Sequence, residues 1–205
     1  TQTITNGIYL NGKGGLVWIK ERNDTQYHQL FSREVGLSTS LATNTPNQAS
    51  TSSDITSFNS DGFTLATSNG TNKLDSDFVS WTFRKEPGFF DIVTWDGNPD
   101  TGERQIEHSL GSTPGFIIVK QTTGTAKNWA VWHRSFPTSP AGSHMYLNTP
   151  GDVVENTAVF GSTLPTSTQF TVGEFSNVDG ESYVAYLFAH DNHRFGDYED
   201  QDIIK

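Results

Sequence analysis

Cysteine is missing from all 205 residues. Its absence excludes a disulfide framework, a thiolate nucleophile and a cysteine-ligated metal centre. A chain of this length needs no covalent staple, because it can bury a sizeable core. Long apolar runs are missing too. None approaches the roughly 18–20 residues that a membrane-spanning helix requires, so no membrane insertion is expected. Leu- and Ala-rich stretches are scarce, which argues against helix. Positive charge is in short supply: 13 Lys and Arg stand against 23 Asp and Glu, for a formal net charge of −10. That balance argues against a nucleic-acid partner, since phosphate contacts need a basic footprint. No Gly-x-Ser-x-Gly elbow marks a hydrolase nucleophile. With no initiating Met and no signal peptide, the chain is expected to begin inside a longer polypeptide or after processing.

What is present is aromatic, glycine-rich and repetitive. Aromatics make up 12 % of the chain against 33 % hydrophobic residues in all, so a few large side chains must fill the core. Gly15-Leu16-Val17-Trp18-Ile19-Lys20 returns about a hundred positions later as Gly115-Phe116-Ile117-Ile118-Val119-Lys120. Phe63-Thr64-Leu65 returns as Phe170-Thr171-Val172, and Val79-Ser80-Trp81-Thr82-Phe83 as Val184-Ala185-Tyr186-Leu187-Phe188. Constant order with small drifts in offset suggests a duplicated unit with loop insertions.

The repeated runs are short and β-branched or aromatic, as strands are. Dipeptides such as Asn6-Gly7, Asp61-Gly62 and Asp179-Gly180 supply the tight turns between them. Phe58–Phe63 reads as a hairpin tip, and Phe175–Gly180 as its second-half counterpart. Alternation puts Val79, Trp81 and Phe83 on one face, expected to be packed, with Ser80, Thr82 and Arg84 on a wet one. The expected fold is all-β: a jelly-roll-like antiparallel sandwich of two pseudo-repeated halves, 1–88 and 89–205, sharing one core. Asp202-Ile203-Ile204 reads as the start of a further joining strand, and the protein is expected to continue beyond Lys205.

Several of these runs resemble a known family. Gly15–Lys20, the aromatic and histidine strand at 27–31, Ser57-Phe58-Asn59-Ser60-Asp61-Gly62-Phe63-Thr64-Leu65 and Val79–Arg84 resemble repeats of phage tail-associated proteins, common in marine phages and cyanophages. Gly88–Asn98, followed by His108–Gly115, is similar to the segment that joins such repeats. One turn departs from the pattern: Ser32-Arg33-Glu34-Val35-Gly36 stands where Asp-x-x-Arg-Gly is usual. The resemblance implies a non-catalytic module of a tail or fibre, on the virion surface or otherwise extracellular. Its partners would be other virion proteins, copies of itself, or a host cell-surface glycan. Two other readings stay open: an extracellular, lectin-like carbohydrate-binding module, and a polysaccharide-cleaving enzyme.

No catalytic residue is assigned, because 23 acidic residues always offer some carboxylate pair. Ligand binding points to aromatics beside polar groups, since sugar rings pack apolar C–H faces on indoles while their hydroxyls take hydrogen bonds. Trp95 with Asp96 and Asn98 is the first candidate, and Trp132 with Arg134 the second. Packing in the core is the competing account of both tryptophans. No cofactor is expected apart from calcium. Asp96, Asn98, Asp100 and Glu107 fall at positions 1, 3, 5 and 12 of a partial calcium loop. Thr101 stands where the sharp turn wants Gly, which favours a plain acidic connection. His190-Asp191-Asn192-His193 has metal-like spacing but no second cluster to close a zinc site.

Overall fold

Turns rich in Gly, Ser and Asn cut the chain into short β-branched and aromatic runs, and such runs pair as strands. The computed structural model describes residues 1–100, 102–136 and 141–190; over these the protein is all-β, with one 3-10 turn and no α-helix. His193 and the Asp202–Ile204 run lie outside the described residues. Two compact units divide the chain, Thr1–Lys85 and Glu86–Lys205. No helix among the described residues is long and apolar enough to cross a membrane.

The first unit contains β1 (Gln2–Thr5), β2 (Gly15–Glu21), β3 (Gln29–Ser32), β4 (Thr39–Ala42), β5 (Ser50–Thr51), β6 (Ile55–Phe58), β7 (Gly62–Leu65) and β8 (Phe78–Arg84). They form two antiparallel sheets, ordered β5-β4-β3-β2-β8 and β1-β7-β6. Val17, Ile19 and Phe31 from the larger sheet meet Ile55, Phe58, Phe63 and Leu65 from the smaller one. This is a two-layer sandwich, and each Phe or Ile buried in it contributes about 1.5–3 kcal/mol. The expected hairpin at Phe58–Phe63 is present, with Phe58 opposite Phe63. Gly62 permits it: φ is +153°, and a Cβ there would overlap the Ile4 carbonyl oxygen of β1.

The second unit contains β9 (Phe90–Asp96), β10 (Arg104–Glu107), β11 (Pro114–Gln121), β12 (Ala130–His133), β13 (Ser143–Tyr146), β14 (Val154–Glu155), β15 (Gln169–Val172) and β16 (Ser182–Ala189). Its sheets run β14-β13-β12-β11-β16-β9 and β10-β15. Ile117, Val119, Trp132, Ala185 and Leu187 of the large sheet pack on Ile106, Phe170 and Val172 of the small one. The order β14-β13-β12-β11-β16 matches β5-β4-β3-β2-β8 strand for strand, with β9 added at the edge.

Two expectations need correction. On β8 the core side is that of Ser80 and Thr82, which pair with Ile19 and Val17. Trp81 lies on the other face and is 45 % exposed. The core side is chosen by the strongly apolar β2, and its edge-strand neighbour follows the register. The repeat implies the same packed face, Val184, Tyr186 and Phe188, on β16, where instead both faces are buried and Val184 and Tyr186 are as inaccessible as Ala185 and Leu187. The second correction concerns Phe175–Gly180, which is not a hairpin tip. A 3-10 turn at Glu174–Ser176 leads into a tight turn closed by Glu181 N–H donating to the Val178 carbonyl at 3.1 Å.

Candidate functional site

Most residues singled out in sequence lie inside the core or in polar networks. Trp95 is buried in the second unit's core, stacked on Tyr183 with ring centroids 5.3 Å apart and planes 11° apart. Its indole N–H donates to the Ser176 carbonyl at 3.0 Å. Trp132 is also buried in this core, which leaves neither indole a free face for a sugar ring. Arg134 is exposed, and its guanidinium meets the His190 imidazole.

The calcium set does not converge. The Asp96 carboxylate accepts the Ser182 hydroxyl at 2.7 Å, and its backbone carbonyl accepts the Arg104 guanidinium at 2.7 Å. Asn98 donates to the Asp100 carboxylate at 3.0 Å and accepts the Asn177 amide at 2.5 Å. Arg104 also donates to Asn177 at 3.1 Å. A guanidinium and two amides thus take up the oxygens that a cation would need. Glu107 sits at the far end of β10, exposed opposite Gln169. Thr101 lies outside the described residues. Among the described residues no group of three or more His, Cys, Asp or Glu side chains is placed to hold a metal.

The second unit also contains a cavity of about 240 Å³. Its floor is the core side of the large sheet, with Val119, Ala130 and Tyr183, joined by Val159. Tyr146, at the end of β13, forms one wall. Phe175 and Ser176, from the 3-10 turn, form another. Ala126, Lys127 and Asn128, from the loop between β11 and β12, make the rim. Phe175 is 52 % exposed, so its ring is available to a ligand. The ammonium of Lys127 stands 5.7 Å from the centre of that ring, within cation–π range.

The rim is held in place by its own residues. Gln121 donates to the carbonyls of Thr123 at 2.7 Å and Thr125 at 3.3 Å. The buried Lys120 ammonium donates to the Lys127 carbonyl at 2.6 Å. Burial pushes the Lys120 amine down to about 8. The Trp129 N–H donates to the Asn148 side-chain oxygen at 2.8 Å, while the Asn148 amide donates to Asn128 at 2.9 Å. Trp95 supports the cavity from behind, through Tyr183 and Ser176. Burial also pushes the Tyr183 hydroxyl above its ordinary pKa.

The corresponding register of the first unit is chemically different. Glu21 and Phe78 pair there, as Gln121 and Tyr183 pair here. Ala42 holds the position of Tyr146, opposite Gln29 where the second unit has Ala130. The buried Glu21 carboxylate has the Lys73 ammonium 3.7 Å away. The cavity leaves little trace in sequence because its lining comes from several separate segments. The one local signal is Phe175, a lone aromatic in a polar Glu-Phe-Ser-Asn turn.

Fold and cavity together define the class: an antiparallel β-sandwich protein with a small cavity walled by aromatic and amide side chains. The chain belongs to the family described as Domain of unknown function (DUF7483), whose model matches residues 2–201. No curated protein and no solved structure matches it.

Proposed function

We propose that the chain is a non-catalytic structural and adhesive module of a phage tail or fibre, displayed outside the virion. It contacts a host surface glycan, and it assembles with neighbouring virion proteins or with copies of itself. The observation that carries the binding part is the cavity's wall chemistry. Tyr146, Phe175 and Tyr183 offer apolar ring surface, Asn128 offers an amide, and among the described residues no Asp, Glu or His lines it. Glycoside cleavage needs two carboxyl groups about 5–9.5 Å apart, and this wall supplies neither. The virion placement is supported by the resemblance of Gly15–Lys20 and Val79–Arg84 to phage appendage repeats. The matched order of the two large sheets supports descent of both units from one copied segment.

A glycan array probed with the whole chain tests the binding part. Saturable binding that weakens in Phe175→Ala is expected; no binding to any surface glycan rejects it. The same cavity also suits a free extracellular carbohydrate-binding module. Recovery of the chain in purified virions favours the appendage, and its recovery only as a free monomer favours the module. Release of reducing ends from host envelope would replace both readings with an enzyme.

A further inference from the structure

We infer that the cavity takes a single anionic pyranose, a hexuronic acid residue of a surface polysaccharide, in preference to a neutral sugar. This rests on the reading of the cavity as a glycan site and adds the charge of the ligand. Size sets the first limit. At about 240 Å³ the cavity lies below the roughly 300–1,000 Å³ typical of drug-sized ligands. It therefore suits one ring with its neighbours outside. The half-exposed Phe175 ring and Tyr146 provide the surfaces for the apolar faces of that ring.

The rim sets the charge. Among the described residues, Lys127 is the one charged side chain that lines the cavity, in a protein with a net charge of −10. Its backbone is fixed by the Lys120 ammonium on its carbonyl, so the start of its side chain is positioned before any ligand arrives. The side-chain oxygen of Asn128 already accepts the Asn148 amide. What Asn128 offers a ligand is therefore its own NH2 group, a donor. Gln121 has both kinds of contact satisfied: its nitrogen is on two loop carbonyls and its oxygen accepts the Tyr183 hydroxyl at 3.4 Å. The rim thus combines the Lys127 ammonium with the Asn128 amide donor. A carboxylate accepts hydrogen bonds and cannot donate them, and charged acceptors make the stronger bonds. Of the nearby acids, Glu181 lies outside the lining and accepts the Thr123 hydroxyl at 2.7 Å, while Glu174 is exposed on the turn.

The test is an NMR titration of the whole chain with methyl β-glucuronide and methyl β-glucoside, with acetate as a charge-only control. The glucuronide should bind about tenfold tighter than the glucoside, equivalent to one charge-assisted contact. Lys127→Gln should abolish that preference, and Phe175→Ala should weaken both sugars, with the thermal midpoint of each variant confirming its fold. Equal affinity for the two glycosides, or an unchanged preference in Lys127→Gln, overturns the inference and leaves the glycan reading standing. Acetate binding as tightly as the glucuronide overturns it as well, because the ring then contributes nothing. Binding of neither glycoside also overturns it, and the glycan array separately decides the broader reading.

Discussion

Trp95 makes three separate contacts: a stack on Tyr183, an edge contact with Phe170 and a hydrogen bond to the Ser176 carbonyl. Removing it opens the core and leaves that carbonyl unpaired. Trp95→Ala should cost about 3–5 kcal/mol in denaturant unfolding, and should weaken any ligand held by Ser176 and Tyr183. His144 makes a different case. It is 2 % exposed, and burial lowers its pKa, opposed in part by the carbonyls of Gly142 and Asn156. The unfolded chain takes up a proton near pH 6.5, where the folded imidazole still resists one. Stability is therefore complete above about pH 6.5 and falls as the pH drops below it. His108 is shifted the same way by burial. Calorimetry should show a lower midpoint at pH 5 than at pH 7.5, with a shallower pH slope in His144→Gln.

Strands and loops differ in what holds them. The strands follow from alternation and β-branching, so β2, β9, β11 and β16 were legible from residue pattern alone. Burial was legible on β2 and β11, which are apolar almost throughout, but the core side of β8 was not, because its register is dictated by β2. The cavity was illegible because period-2 patterns describe single strands. Lys127, Tyr146 and Phe175 are brought together by two loops and a sheet, and no local spacing encodes that. One loop device recurs in both units: the Trp129 N–H on Asn148 corresponds to the His28 N–H on the Asn44 side-chain oxygen at 3.0 Å. Each clip ties the strand after the first loop to the turn that follows the next strand. Asn148→Ala should cost about 1 kcal/mol, and should speed hydrogen exchange at the Trp129 amide without changing exchange at His28. Gly62→Ala should destabilise the first unit's hairpin by about 1–3 kcal/mol from backbone strain alone. Circular dichroism melting reads that loss.

Across the whole molecule, composition forecast the class but not the site. Scarce Leu and Ala, abundant turns and 12 % aromatics led to an all-β protein. Charge is also a property at this scale. With a net charge of −10, folding brings like charges together. The Lys73–Asp24 and Lys85–Glu34 ion pairs are partly exposed, so they contribute little and screening removes little. Raising the salt from about 0.02 M to 0.5 M shortens the screening length several-fold and should raise the thermal midpoint. A fall would mean that attractive pairs dominate.

The first unit keeps Glu21 beside Lys73 at the register where the second builds its cavity, so the described residues offer that constellation once. A monovalent chain holding one ring binds weakly however well the ring fits. If the chain is the proposed glycan-binding module, firm attachment would come from avidity, with many chains engaging a repeating polymer together and linkage geometry setting the gain. In such an assembly the spacing of chains, more than any substitution in a single one, would decide whether contact with a surface lasts.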